Sequence, residues 1–170
     1  GLGELGSDAA QKLVPLHYQV AGWARTKKDI PGVESFHGPD QLIPFLNRTE
    51  ILVCLLPLTP DTQGIINKDT LAALPKGACL INCARGGHVV DDDLIAAIES
   101  GHIEAATLDV FHTEPLPDDH PYWSHPKVTV TPHMASLTVP NSSTEWYVKN
   151  IERMERGEAP LNTVDRGTRY

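Results

Sequence analysis

Apolar and polar positions along this chain switch repeatedly between a helical period and short unbroken apolar runs. Leu5, Ala9, Ala10 and Leu13 recur at helical spacing up to Pro15, and His17-Tyr18-Gln19-Val20-Ala21-Gly22-Trp23-Ala24 then reads as a strand. A short strand over Val33 to His37 and a helix over Asp40 to Leu46 come next. Ile51-Leu52-Val53-Cys54-Leu55-Leu56 is continuously apolar, as expected of a strand covered on both faces, and Pro57 ends it. The pattern repeats with a helix over Lys68 to Leu74, stopped at Pro75-Lys76-Gly77, and a strand over Ala78 to Cys83. A helix over Asp92 to Glu99 is expected to be capped by Asp91 and ended by Gly101, before a strand over Ile103 to Val110. Val128 to Thr131 is the last strand, and Ser142-Ser143-Thr144-Glu145 has the form of a capping box opening a helix to Arg156. Strands alternating with helices in this way predict an α/β fold with a doubly wound parallel sheet.

Composition narrows the partners. The 170 residues, 41% hydrophobic, suffice for one substantial core, expected over residues 1–156 with 157–170 as a C-terminal tail. The net charge of −8, with no basic stripe, argues against a nucleic-acid surface, and no apolar run is long enough for a membrane span. Cys54, Cys79 and Cys83 form an odd set in apolar strands, and Cys79 and Cys83 would sit about 13 Å apart on one strand. They read as buried structural thiols in a reducing, cytoplasmic setting. Ligand spacings such as HExxH do not occur, so no metal is expected. The Asp91-Asp92-Asp93 run is read as a helix-start charge cluster, and Trp23, Trp123 and Trp146 as packing residues.

The chemistry begins at the first residue. Gly1-Leu2-Gly3-Glu4-Leu5-Gly6 is a complete GxGxxG leading into a helix, the arrangement in which a tight turn lets a dinucleotide's pyrophosphate rest on free N–H groups. A Rossmann-type NAD(P)-binding domain would place its first strand ahead of this turn and at the centre of the sheet, so that strand is expected to be missing from the chain. Its neighbours would then lose ladder partners, and these residues alone are expected to be unstable. In such sheets ligands bind beyond the carboxyl ends of the strands. Here those ends carry Arg25-Thr26, Leu56-Pro57-Leu58-Thr59-Pro60, Ala84-Arg85-Gly86-Gly87, Asp109 to Pro115, and Thr131-Pro132-His133. NAD-specific domains carry an acidic residue after the second strand to bind the ribose 2′-hydroxyl. Arg25, followed by Thr26, Lys27 and Lys28, instead suits a 2′-phosphate, so NADP(H) is the expected cofactor and NAD(H) the alternative.

On these residues, together with Thr62, Gly64, Asp91, Leu94 and Glu114-Pro115, almost the whole chain resembles the nucleotide-binding domain of the D-isomer-specific 2-hydroxyacid dehydrogenases. Trp23-Ala24-Arg25-Thr26-Lys27 and Val164-Asp165-Arg166 resemble the family's glyoxylate/hydroxypyruvate reductase A branch. The resemblance implies that Arg85 binds the carboxylate and carbonyl of a 2-oxo acid, that His133 donates the proton, and that Glu114 pairs with His133. It places Gly1, Gly3, Glu4, Leu5, Gly6, Arg25, Thr26, Lys27, Leu56, Pro57, Thr62, Cys83, Ala84 and Asp109 against the cofactor, with Asp109 near the nicotinamide carboxamide. A substrate domain absent from this chain and a homodimer of the full-length protein are also implied. Other readings within reach are a nucleotide-sensing corepressor-like module and phosphoglycerate dehydrogenase. The remaining histidines, His17, His37, His88, His102, His112, His120 and His125, are read as ordinary half-buried residues.

The implied chemistry is physically coherent. A guanidinium holds a planar 2-oxo acid in a fixed fork geometry. An imidazolium within reach can protonate the carbonyl oxygen as hydride arrives at its carbon, and a neighbouring carboxylate favours the charged ring.

Overall fold

The computed structural model describes residues 1–136 and 140–164, with all their side chains except those of Asn141 and Ser142. The expected capping box rests on the Ser142 side chain, which is not described, and Asp165 and Arg166 of the expected family signature lie outside the described residues. The chain divides into two compact units, 1–133 and 134–170, so the last helix belongs with the C-terminal segment.

In the first unit the elements run α1 (Glu4–Leu13), β1 (Ala21–Ala24), β2 (Glu34–His37), α2 (Leu42–Leu46), β3 (Ile51–Cys54), α3 (Lys68–Ala72), β4 (Ala78–Asn82), α4 (Asp91–Glu99), β5 (Ile103–Leu108) and β6 (Val128–Val130). The second unit holds α5 (Pro140–Glu155). Strands and helices alternate as the apolar pattern requires, and every described strand pair is parallel. The pairs form two ladders: β1 with β2, and β3-β4-β5-β6 in that order. This is the Rossmann-type doubly wound architecture.

Each ladder has its own core. Leu80, Leu94, Ile98, Ile103, Leu108 and Tyr122 are almost wholly buried around β3 to β6, whereas Leu2, Ala10, Ala24 and Ile30 pack beside β1. Along β4 the burial alternates, with Ala78, Leu80 and Asn82 inside. Ending a strand on a buried Asn matters for the site, because its amide needs partners at the strand end.

The strands are shorter than the apolar runs suggest. Residues 17–20, 55–56 and 109–110 lie outside the strands, although the Val20 carbonyl still accepts from Glu34 N and Asp109 N still donates to the Asn82 carbonyl across neighbouring strands. Pro15 does not simply stop α1 but sits in a 3-10 turn, Val14–Leu16, that continues it. Asp91 is not the cap of α4. Val90 holds that position without a side-chain bond, and Asp91 is the first helical residue, where the helix dipole favours its charge. Its carboxylate is free to accept a 2.9 Å hydrogen bond from the Tyr122 hydroxyl. Burial and the Asp91 charge push the Tyr122 phenol up, so it remains a donor. Gly101 ends α4 with a positive φ, as expected.

Trp123 and Trp146 are 54% and 47% exposed, so neither is the packing residue expected of it; Trp123 Nε1 donates to the Pro117 carbonyl, and Lys149 lies over the Trp146 ring. Trp23 is half-buried and donates to the Gly38 carbonyl. No helix among the described residues is long and apolar enough to cross a membrane.

The Tyr122–Asp91 bond ties the segment between β5 and β6 to the start of α4. Tyr122→Phe should lower unfolding stability by about 1–3 kcal/mol, the usual worth of a hydrogen bond to a charged partner. Urea denaturation of the full-length polypeptide checks this; an unchanged midpoint would show that the bond contributes nothing.

Candidate active site

The glycine turn comes first. Gly3 precedes α1 in extended conformation, leaving the first N–H groups of the helix without intrahelical partners. A Cβ on Gly6 would collide with the Gly1 carbonyl, and one on Gly1 would lie 2.7 Å from the Leu55 carbonyl oxygen. Side chains are therefore excluded, and the turn sits directly against the end of β3, where Leu56 and Pro57 follow. On the other side, Leu2 packs where a Cβ of Gly22 in β1 would stand. Glu4 and Leu5 are exposed at the mouth of the turn.

Beyond β4 the chain turns into Cys83-Ala84-Arg85. Buried Asn82 anchors this turn: its Oδ1 accepts from Ala84 N at 3.1 Å and its Nδ2 donates to the Arg85 carbonyl at 3.0 Å. The Arg85 side chain is exposed, with Nη1 donating to the Ala84 carbonyl. Next to it, a Cβ on Gly86 would occupy the position of the Phe111 carbonyl group. That close approach brings the arginine turn onto the segment after β5.

The segment after β5 carries the two acidic candidates. Asp109 is 2% exposed, and its Oδ1 accepts a 2.6 Å bond from the Thr131 hydroxyl at the end of β6. Glu114 lies further out. Its Oε1 accepts from Phe111 N at 2.9 Å, and its Oε2 is 2.7 Å from His133 Nδ1. His133 reaches it from a left-handed backbone, φ 50°, just beyond β6. The bonds from His133 and Phe111 N, with the charges of His133 and Arg85, hold the Glu114 carboxyl below its ordinary 4.5. Glu114 is thus ionised and acts as an acceptor. With Nδ1 so engaged, Nε2 is the ring nitrogen left to face a substrate.

Arg85, Glu114 and His133 are brought together as the sequence suggested, whereas other candidates stand apart. Arg25, Thr26 and Lys27 are exposed on the loop after β1 and make no hydrogen bond to the glycine turn among the described residues. Thr62 is buried, and its hydroxyl is spent within its own loop, donating to the Pro57 carbonyl at 2.6 Å and accepting from Thr59 N. Burial pushes the Cys54 and Cys83 thiols up, for Cys83 with help from the Asp109 charge, and all three cysteines are free. Protonated thiols suit packing. No group of three or more His, Cys, Asp or Glu among the described residues is arranged to hold a metal. In the sequence reading Asn82, Thr131 and His88 carried no role of their own. An Asn closing an apolar strand was the available signal for the first.

A glycine turn at a helix start, beside parallel strand ends that carry charged groups, defines a dinucleotide-binding domain. The chain belongs to the D-isomer specific 2-hydroxyacid dehydrogenase family, whose NAD binding domain matches residues 1–135. It is 49% identical over 165 residues to glyoxylate/hydroxypyruvate reductase A of Serratia proteamaculans, covering 97% of this chain and 53% of that protein. The chain therefore spans about half the length of this curated relative. Among solved structures, a D-isomer specific 2-hydroxyacid dehydrogenase from Xanthobacter autotrophicus, in complex with NADPH and MES, superposes with a TM-score of 0.96 at 50% identity, over 100% of this chain and 70% of that one. The NADPH-dependent glyoxylate/hydroxypyruvate reductase of Sinorhizobium meliloti, with NADP and sulfate, gives 0.94 at 40% identity, over 100% of this chain and 55% of that one.

The Glu114–His133 pair has a pH signature. Because the folded carboxyl titrates below its unfolded value, its contribution to stability is present above the ordinary carboxylate range and is lost as pH falls through the lowered folded value. A carbon-detected NMR titration should place the Glu114 midpoint below 4.5 in the wild type and move it upward in His133→Ala. An identical midpoint in both proteins would remove the pair.

Proposed function

We propose that the full-length protein reduces small 2-oxo acids such as glyoxylate and hydroxypyruvate with NADPH. The observation that carries this reading is the Glu114–His133 pair standing beside the Arg85 turn, at the strand ends next to a glycine cradle that excludes side chains. Gly1, Gly3 and Gly6, with Glu4 and Leu5, would hold the pyrophosphate against the start of α1. Leu56, Pro57, Thr62, Cys83, Ala84 and Asp109 would line the nicotinamide side, and Arg25, Thr26 and Lys27 would hold the 2′-phosphate. When bound, NADPH supplies the hydride.

The chain's own residues do the rest. Arg85 binds the substrate carboxylate and orients the adjacent carbonyl, a bidentate task that a lysine could not perform equally well. Its main chain is held by Asn82, so only the side chain need adjust. His133, protonated at Nε2, donates to the carbonyl oxygen as that oxygen gains negative charge. Glu114, ionised throughout, keeps Nδ1–H pointed at itself and stabilises the imidazolium before transfer. In the oxidative direction the same ring starts neutral and accepts the proton. The homodimer and the cytoplasmic setting belong to the same proposal, resting on the family and on the free thiols.

Steady-state kinetics of the full-length polypeptide test this. NADPH should be preferred to NADH with glyoxylate, and Arg25→Asp should reverse or abolish that preference, because a carboxylate repels the 2′-phosphate. His133→Ala should lower kcat by about 10²- to 10⁴-fold, the usual contribution of a general acid. Arg85→Ala should raise KM for the oxo acid as well as lowering kcat. No turnover of any 2-oxo acid, or near wild-type rates in His133→Ala, would overturn the reading.

A further inference from the structure

His88 has no part in the chemistry just described, yet it is wholly buried, 0% exposed, between two of the segments that chemistry uses. Its Nδ1 lies 3.0 Å from the Arg85 carbonyl oxygen and its Nε2 3.2 Å from the Pro57 carbonyl oxygen. We propose that His88 is a positioning residue that holds the Arg85 turn and the Pro57 loop at a fixed separation, one ring nitrogen to each. The proposal rests on the reading of Arg85 as the substrate arm and of Leu56-Pro57 as part of the cofactor site.

Carbonyl oxygens only accept, so each ring nitrogen must donate to make its bond. A neutral ring has one N–H and serves one carbonyl at a time; a doubly protonated ring serves both. The two acceptors are themselves fixed. The Arg85 carbonyl also receives Asn82 Nδ2 and the main-chain N–H of His88 itself, and the Pro57 carbonyl also receives the Thr62 hydroxyl. Alongside, main-chain bonds from Gly64 N to the Gly87 carbonyl, Ile66 N to the His88 carbonyl and Val90 N to the Ile66 carbonyl run the two segments together. The imidazole extends that contact from the main chain to the ends of the segments nearest the site. A buried hydrocarbon of the same size would fill the space but leave two carbonyls with fewer donors.

Asn and Gln divide the two bonds. An Asn amide at position 88 matches the reach of Nδ1 toward Arg85, and a Gln amide matches the reach of Nε2 toward Pro57. In the full-length polypeptide, His88→Asn should therefore raise the NADPH Kd, measured by nucleotide fluorescence, by about tenfold, the effect of one buried hydrogen bond. Its KM for glyoxylate should stay within about twofold, well short of that tenfold. His88→Gln should show the opposite split. A merely structural role predicts lower Tm in both variants with equal changes in Kd and KM, and that outcome, or no change in either constant, overturns the proposal. If the wild type binds NADPH but reduces no 2-oxo acid, the proposed activity fails, while the nucleotide arm still decides the role of His88. In that arm weakened binding in Asn alone supports the role, and equal binding in both variants overturns it. Should either variant not fold, ¹⁵N NMR of the wild-type ring decides: NADPH should shift Nε2 and the 2-oxo-acid isostere oxamate should shift Nδ1, whereas a ring insensitive to both ligands overturns the proposal.

Discussion

Parallel pairing of β3 to β6 is the constraint on which the rest of this domain depends. Because the strands run one way and sit in register, Cys54 opposite Asn82, Asn82 opposite Leu108 and Leu108 opposite Val130, their carboxyl ends finish level with one another. Four turns then leave the sheet at the same edge carrying Pro57, Arg85, Asp109 and His133. Residues far apart in the chain meet there without a dedicated binding loop. An antiparallel strand anywhere in this ladder would send its turn to the opposite edge and dismantle the site.

Level strand ends bring these groups near one another; close packing then fixes their positions. Gly86 lets the arginine turn rest on the Phe111–His112 peptide, and Phe111 N in turn donates to Glu114. Arg85 and Glu114 are thus both referenced to the backbone of Phe111. His112 Nε2 lies 2.8 Å from the Val89 carbonyl, and Tyr122 bonds Asp91, so both ends of the segment after β5 are tied to the start of α4. An ionised carboxylate 2.7 Å from an imidazole keeps the ring oriented even though both groups are partly exposed. Solvent access limits what that pair adds to stability, so its main effect is to hold the ring in one orientation.

Much of this was legible in the residues. The alternation of strands and helices follows directly from the apolar runs and their Gly and Pro stops, and Arg85, Glu114 and His133 stood out because a basic, an acidic and an imidazole group converge on the edge that carries the glycine turn, while the family resemblance gave each its expected role. What was misread has physical causes. Strand lengths were overestimated because an apolar run continues past the last ladder bond when its side chains go on packing in the turn, as Leu55 and Leu56 do. Asp91 looked like a helix cap because Asp is a common cap, but a charge one position later serves the dipole as well and leaves the carboxylate for Tyr122. His88 was indistinguishable from six other histidines, since its place between two carbonyls, Pro57 and Arg85, is set only by the folded backbone.

The central claim is that Arg85 and the Glu114–His133 pair act on one bound 2-oxo acid beside the nucleotide turn. A crystal structure of the full-length polypeptide with NADPH and oxamate tests it most directly. The account predicts the oxamate carboxylate on the Arg85 guanidinium, its carbonyl oxygen about 2.6–3.2 Å from His133 Nε2, and Glu114 still bonded to Nδ1. Oxamate bound away from Arg85, or His133 Nε2 turned from the carbonyl oxygen in the ternary complex, would contradict it.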